Sequence, residues 1–231
     1  MNYLFDGISQ AIKLLLHGDA DTYSAILTTI KVSTSSIFIS LLIGIPLGYK
    51  LGIKKFRGKK IIKLFVNTML SLPTVVIGLL VYLLVSNYGP LGNLNLLFTI
   101  YAIIIGQTIL ALPVIVALTG NIIENTNKNL PLNLMTLGAS GIQIAKTILW
   151  ETRYALLIVA LTAYGRVVSE VGISMMVGGN IRWYTRTITT AIAFETGKGE
   201  FAMGIALGIV LILFALLVNI IIALFREKLP Q

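Results

Sequence analysis

The sequence has no cysteine, and its 231 residues include a single histidine, His17. A disulfide framework, a thiolate zinc site and a thiol nucleophile are therefore excluded, and one imidazole does not build a metal centre. Charge is scarce too: 12% of the residues are Asp, Glu, Lys or Arg, against 56% hydrophobic ones. A water-soluble domain is about a quarter charged, so this chain lacks the polar coat that keeps such a domain in solution. It reads as an all-α integral membrane protein, one domain over residues 1–231. What charge there is leans basic, with 18 Lys and Arg against 9 Asp and Glu. These cations flank hydrophobic runs, which points to membrane topology rather than to nucleic acid. No cluster of ligands or nucleophile–base pair stands out, so no catalytic residue and no metal site are expected.

A bilayer crossing takes about 20 mostly apolar residues. Five stretches qualify: 25–49, 61–85, 94–119, 154–177 and 201–224. Residues 1–20 have no basic leader and carry Asp6 inside their apolar run, so no cleavable signal peptide is expected. Leu4, Phe5, Ile8, Ile12, Leu15 and Leu16 recur at helical spacing, which predicts an amphipathic helix in the interface. In the first crossing, Thr28, Thr29, Lys31, Ser33, Thr34, Ser35 and Ser36 are costly against lipid, so that half should face protein or water. Gly44, Gly48 and Gly52 follow at four-residue spacing and suit close helix approach inside one subunit. Gly204 and Gly208 form a second such pair. Pro73 and Pro113 predict kinks in the second and third crossings.

The loop after the first crossing, from Lys50 to Lys63, holds seven basic residues. Gly52–Lys60 superficially suggests a phosphate loop, but the glycine spacing is wrong and Lys60 stands where Ser or Thr would bind magnesium. The loop is read as a topological anchor. With Lys128, Lys146, Arg153, Arg226 and Lys228 it puts twelve cations on one side of the membrane. Lys13, Lys31, Arg182, Arg186 and Lys198 leave five on the other. The positive-inside rule then predicts an external N-terminus and a cytoplasmic C-terminus.

Residues 130–147 form a cytoplasmic insert between the third and fourth crossings. Asn129 can cap a helix there, and Pro131 suits its first turn. Leu132, Met135 and Ala139 share one face, and Gly138 and Gly141 allow a change of direction. Two readings stand: an apolar helix displayed to a grooved partner, or a loop helix packed beneath its own spans. In the fourth crossing Arg166 and Glu170 lie one helical turn apart, which predicts an inward-facing ion pair. That pair either locks two helices or borders a translocation path. Residues 178–200 are too short and polar-flanked to cross, and read as a re-entrant or interfacial helix on the far side. Arg182 and Arg186, among Thr185, Thr187, Thr189 and Thr190, offer groups that suit a tetrahedral oxyanion. They serve a receptor contact or weak anion funnel, or else only topology and phospholipid.

The stretch Thr136-Leu137-Gly138-Ala139-Ser140 resembles the glycine-centred coupling loop of ABC-importer permeases. Leu132-Asn133-Leu134 occupy the places where that family usually has Glu-Ala-Ala, and Trp150-Glu151 stand where a Leu-Pro pair is usual. The stretch from Ala163 to Gly208 is similar to the molybdate/tungstate permease group, and particularly to its tungstate type. Taken together the resemblance runs from Ala25 to about Phe225. It implies the type I importer permease fold and a prokaryotic cytoplasmic membrane. It also implies a homodimer, two cytoplasmic ATPase subunits that bind ATP and magnesium, and an extracytoplasmic oxyanion-binding protein. The chain itself then carries no cofactor and is no enzyme.

On that resemblance Leu134, Met135, Leu137, Gly138, Ala139 and Ser140 couple to the ATPase. Arg166, Ser169 and Glu170 border the translocation path, with Gly178, Gly179 and Asn180 at its gate, and Arg182, Thr185 and Arg186 contact receptor or anion. The function implied is ATP-driven import of tungstate or a similar oxyanion by alternating access. A molybdate or sulfate permease is the near alternative. A secondary anion transporter is a more distant one, because no repeat is evident and Glu170 is the only acidic residue well inside a crossing.

Overall fold

The computed structural model describes residues 3–54, 56–126 and 129–227. Lys55, Lys128 and Lys228, three of the basic residues used for orientation, lie outside them. Among the described residues all regular structure is helical: eleven α-helices and one 3-10 turn, Gly92–Leu94.

Helices α1 (Tyr3–Leu16) and α2 (Ala20–Ile53) are separated by a short turn at Asp19, whose carboxylate accepts from the backbone N–H of Thr22 at 2.9 Å. Ala11 of α1 is buried, and the helix packs along the last helix of the chain. At about 1.5 Å per residue, the 34 residues of α2 outreach a hydrocarbon core of about 30 Å. Helix α3 (Lys59–Leu70) follows the basic loop, and α4 (Thr74–Val85) leaves it at 99°. Helix α5 (Ile100–Asn125) is unbroken.

Helices α2 and α5 form the central pair, and the glycine row of α2 explains how close they come. A Cβ on Gly48 would lie 2.6 Å from Cβ of Thr119 and 2.9 Å from the Val116 carbonyl oxygen. On Gly44 it would meet Ile115 at 2.7 Å, and on Gly52 it would meet Ile123 at 2.7 Å. The glycines thus serve packing within one subunit. One face of the polar half of α2 also meets protein: Ser36 Oγ donates to Gln107 Oε1 at 3.2 Å, and Thr29 Oγ1 accepts from the Ile188 N–H at 2.8 Å, while Lys31 and Thr34 are exposed. In the other glycine pair only Gly204 is tight, where a Cβ would lie 3.1 Å from Thr196 Oγ1, whereas one on Gly208 would meet nothing within 4 Å.

The insert consists of α6 (Asn129–Thr136) and α7 (Gly141–Glu151), two helices where the sequence suggested one over 130–147. Then come α8 (Arg153–Val168), α9 (Gly172–Gly178), α10 (Ile188–Lys198) and α11 (Phe201–Arg226). Helices α8 and α9, which together cover most of the 154–177 stretch, are bent by 59°. Counting each bent pair as one crossing gives up to five spans.

The prolines act unequally. Pro73 sits in extended backbone (ψ 131°) directly before α4, and Leu72 before it is pushed out of helical conformation, so the helix stops. Pro113 lies buried within α5, which runs on through it, so no break appears there.

Candidate functional site

The elbow between α6 and α7 is built from two complementary helix ends. Gly138 takes the left-handed conformation (φ +79°) that ends α6. Its N–H donates to the Met135 carbonyl at 3.0 Å, and the Ala139 N–H reaches back to that of Leu134 at 3.0 Å. This is the Schellman pattern, and Leu134 and Ala139, the residues at its two hydrophobic positions, both pack on one apolar cluster. Ser140 then starts α7 with a capping box: its N–H donates to Gln143 Oε1 at 2.7 Å, while its hydroxyl accepts from the Gln143 N–H at 3.5 Å. Leu134 and Ala139 pack inward against Ile123, Ile144 and Ile148. Leu132, Met135 and Leu137 face out, 59%, 62% and 83% exposed. The sequence-derived set thus divides into a rigid inner half and an apolar tip.

At the end of α7, Arg153 fixes the entry to α8. Its guanidinium donates to the Trp150 carbonyl at 2.6 Å and lies within 5 Å of the Trp150 and Tyr154 ring centroids.

The ion pair expected between Arg166 and Glu170 is not formed. Arg166 Nη2 donates to the carbonyl oxygen of Leu70 at 3.2 Å, the last residue of α3. Glu170, only 7% exposed, turns the other way and accepts from the Ile173 N–H at 3.1 Å, at the start of α9. The physical reason is that α8 ends at Val168, so the two residues no longer share a helix face. Each charge instead meets a helix end of opposite partial charge: the cation a carboxyl end, the anion an amino end. Glu170 is also held through its backbone carbonyl, which accepts from Thr189 Oγ1 at 2.7 Å. Thr162, Arg166 and Ser169, at helical spacing, remain exposed along α8 and just past its end. Such a stripe is poorly suited to lipid and suits water or another protein surface.

The loop between α9 and α10 is closed by its own hydrogen bonds. Thr185, fully buried, donates to the Gly178 carbonyl at 2.5 Å and accepts from the Ile181 N–H at 2.9 Å. Gly178 lies where a Cβ would be 2.6 Å from Ile103, and Gly179 (φ +69°) lies against the Phe98 ring. Asn180 and Trp183 are also left-handed, at φ +50° and +66°. For a tryptophan this is costly backbone that its surroundings must hold in place.

Arg182 and Arg186 do not stand one helical turn apart, because the loop precedes α10. Arg186, 8% exposed, is buried against Glu195 (Nη1 to Oε1 3.1 Å) and the Phe194 ring. Arg182 is exposed and grips both carboxylate oxygens of Asp21, with Nε to Oδ1 at 2.7 Å. Hydrogen bonding to Asp21, then its charge, raises the guanidinium pKa further. Thr187 and Thr190 form the capping box of α10, so these hydroxyls are taken up by structure. Of the three residues expected to contact receptor or anion, only Arg182 is on the surface. Asp21 and Glu195, the acidic partners, carry no local sequence signal; Asp21 is 161 residues from Arg182.

The family described as the binding-protein-dependent transport system inner membrane component matches residues 44–230. The tungstate uptake system permease protein TupB of Campylobacter jejuni is 53% identical over 96% of this chain and 92% of its own length. TupB of Peptoclostridium acidaminophilum is 36% identical over 99% of this chain and all of its own length. The molybdenum transport system permease ModB of Azotobacter vinelandii is 25% identical over 89% of this chain and 93% of its own. In fold, the chain is similar to a chain of an inward-facing MetNI methionine ABC transporter. There the TM-score is 0.69 with 18% identity, over 90% of this chain and 95% of that one. A bilayer-length helical framework and a match over most of the sequence lead to one conclusion: this chain belongs to the family of binding-protein-dependent transport system inner membrane components.

Proposed function

We propose that this chain is the membrane-spanning permease subunit of an ATP-driven importer of tungstate, a protein that moves cargo without catalysing a reaction. The observation that carries this reading is the 53% identity to a tungstate permease across 96% of the chain. The protein works as a homodimer with two cytoplasmic ATPase subunits, which hold ATP and magnesium, and with an extracytoplasmic oxyanion-binding protein. The N-terminus is outside and the C-terminus cytoplasmic, in a prokaryotic cytoplasmic membrane.

Movement enters at the elbow. The exposed side chains of Leu132, Met135 and Leu137 fit an apolar groove on the ATPase, and the two caps around Gly138 and Ser140 let the elbow transmit a push without bending. That push reaches α8 through Arg153 and then the break at Ser169–Val171. Arg166 and Ser169 face the translocation path, Glu170 holds the break, and the left-handed backbone at Gly179 and Asn180 forms the gate. Arg182 is the contact for the receptor, while Thr185 and Arg186 hold its loop in shape.

The test is uptake into proteoliposomes that contain this chain and its ATPase, with receptor and tungstate added. Tungstate accumulation that requires both ATP and receptor is expected. Uptake driven by an ion gradient without ATP would instead make the chain a secondary carrier. A stronger response to molybdate than to tungstate would reassign the cargo.

A further inference from the structure

A cleft of about 1060 Å³ opens where the basic loop meets the elbow, and of the residues that line it only Leu132 has a role in the proposed transport cycle. Lys59, Lys60 and Lys63 line it from α3, and Phe56, Ile61 and Leu132 give it an apolar rim. Lys59 and Lys63 converge on one carboxylate, Glu124, with Lys59 Nζ to Oε1 at 3.4 Å. Lys59 also donates to the Gly52 carbonyl at 3.0 Å. Lys60 has no ion pair among the described residues, so three cations share one anion and the cleft keeps a positive excess.

Its position says what would neutralise that excess. Helix α3 has no buried residue, and Ile61, Leu64 and Phe65 are exposed along it. In the topology proposed above, α3 and α4 together make the second crossing, and α3 opens it directly after the cytoplasmic basic loop, so its first turn stands at the membrane surface. Lysines at the start of such a helix sit at headgroup depth, with their stems along apolar neighbours. A soluble anion would neutralise the charge and leave Phe56 and Ile61 uncovered; a lipid covers both.

We propose that this cleft binds an anionic phospholipid, its phosphate taken by Lys60 beside the Lys59–Lys63 pair and its acyl chains laid along Ile61 and Phe65 of α3. The site is independent of the cargo assigned above. Because Leu132 belongs to both cleft and elbow, a bound lipid buttresses the elbow from the membrane side.

The complete permease in a neutral detergent is titrated with dioctanoyl phosphatidylglycerol, dioctanoyl phosphatidylcholine and inorganic phosphate, and bound species are counted by native mass spectrometry. Phosphatidylglycerol should bind saturably and clearly tighter than either other probe. Lys60→Glu should weaken it about fivefold or more, the loss of one lysine's attraction at a membrane surface, while Lys60→Arg retains it. A glutamate in the first turn suits the helix dipole, so folding is kept. Equal binding of phosphatidylcholine, or no effect of Lys60→Glu, overturns the proposal. Phosphate binding as tightly as the lipid makes it a free-anion site instead. Loss of the bound lipid when the ATPase is added assigns the cleft to the protein interface and likewise overturns it.

Discussion

The Arg166 guanidinium donates to the Leu70 carbonyl at 3.2 Å across 96 residues of sequence, joining the end of α3 to the end of α8 beside both helix breaks. Arg166→Ala should therefore lower uptake sharply, because it frees two broken spans from each other. Glu170→Gln should be milder, since an amide oxygen still accepts from the Ile173 N–H. The two are not partners, so a double-mutant cycle on thermal stability should give a coupling within about 0.5 kcal/mol of zero. Coupling well beyond that would restore the ion pair.

The elbow offers a separation of fold from function. Leu137→Glu should leave the thermal midpoint of the isolated permease unchanged, because Leu137 is 83% exposed, yet abolish co-purification with the ATPase. Gly138→Ala has space for its methyl but sits at φ +79°, costing about 1–2 kcal/mol locally. It should loosen the elbow and reduce receptor-stimulated ATP hydrolysis. Wild-type stimulation in both variants would remove the elbow from coupling.

The glycines of α2 and α11 should behave in opposite ways. Gly48→Ala puts a methyl 2.6 Å from Thr119 and 2.9 Å from a backbone oxygen, an overpacking that costs about 1–3 kcal/mol. Gly208→Ala meets nothing within 4 Å, and gains about 0.5–1 kcal/mol from helix propensity. Thermal melts in one detergent would decide; equal shifts would contradict the close approach of α2 and α5.

Two arginines four residues apart should also diverge. Glu195→Ala strands Arg186 in a buried site, a loss of about 3–5 kcal/mol, and should deplete folded protein in the membrane. Arg182→Glu breaks only the surface link to Asp21, so expression should persist while receptor-stimulated turnover falls. Combining it with Asp21→Arg should recover part of that turnover if the link itself matters. Unchanged stimulation in Arg182→Glu would exclude this residue from the receptor contact.

Much of the architecture was legible because its signals are local. Scarce charge and long apolar runs gave a helical membrane protein, and four-residue glycine spacing gave a tight interface. Gly138 and Gly141 marked a change of direction in one helix, whereas the structure makes Gly138 a stop and Ser140 with Gln143 a restart. The sites were less legible. Arg166 and Glu170 at four-residue spacing look like a pair only while the helix continues, and α8 stops at Val168. Pro73 and Pro113 look alike in sequence, but only Pro73 begins a new helix at 99°.

By itself the sequence determined which segments are too apolar for water and where the chain must turn, because hydrophobic transfer and capping depend on neighbours a few residues away. Only the tertiary structure decided which charges meet. The start of α2 meets the loop after α9 at Asp21 and Arg182, and the end of α3 meets the end of α8 at Leu70 and Arg166, across 161 and 96 residues of sequence, while Glu195 reaches Arg186 nine residues back. In a medium with little water to solvate a stray charge or carbonyl, those ends choose partners by position in space, and residue spacing does not record it.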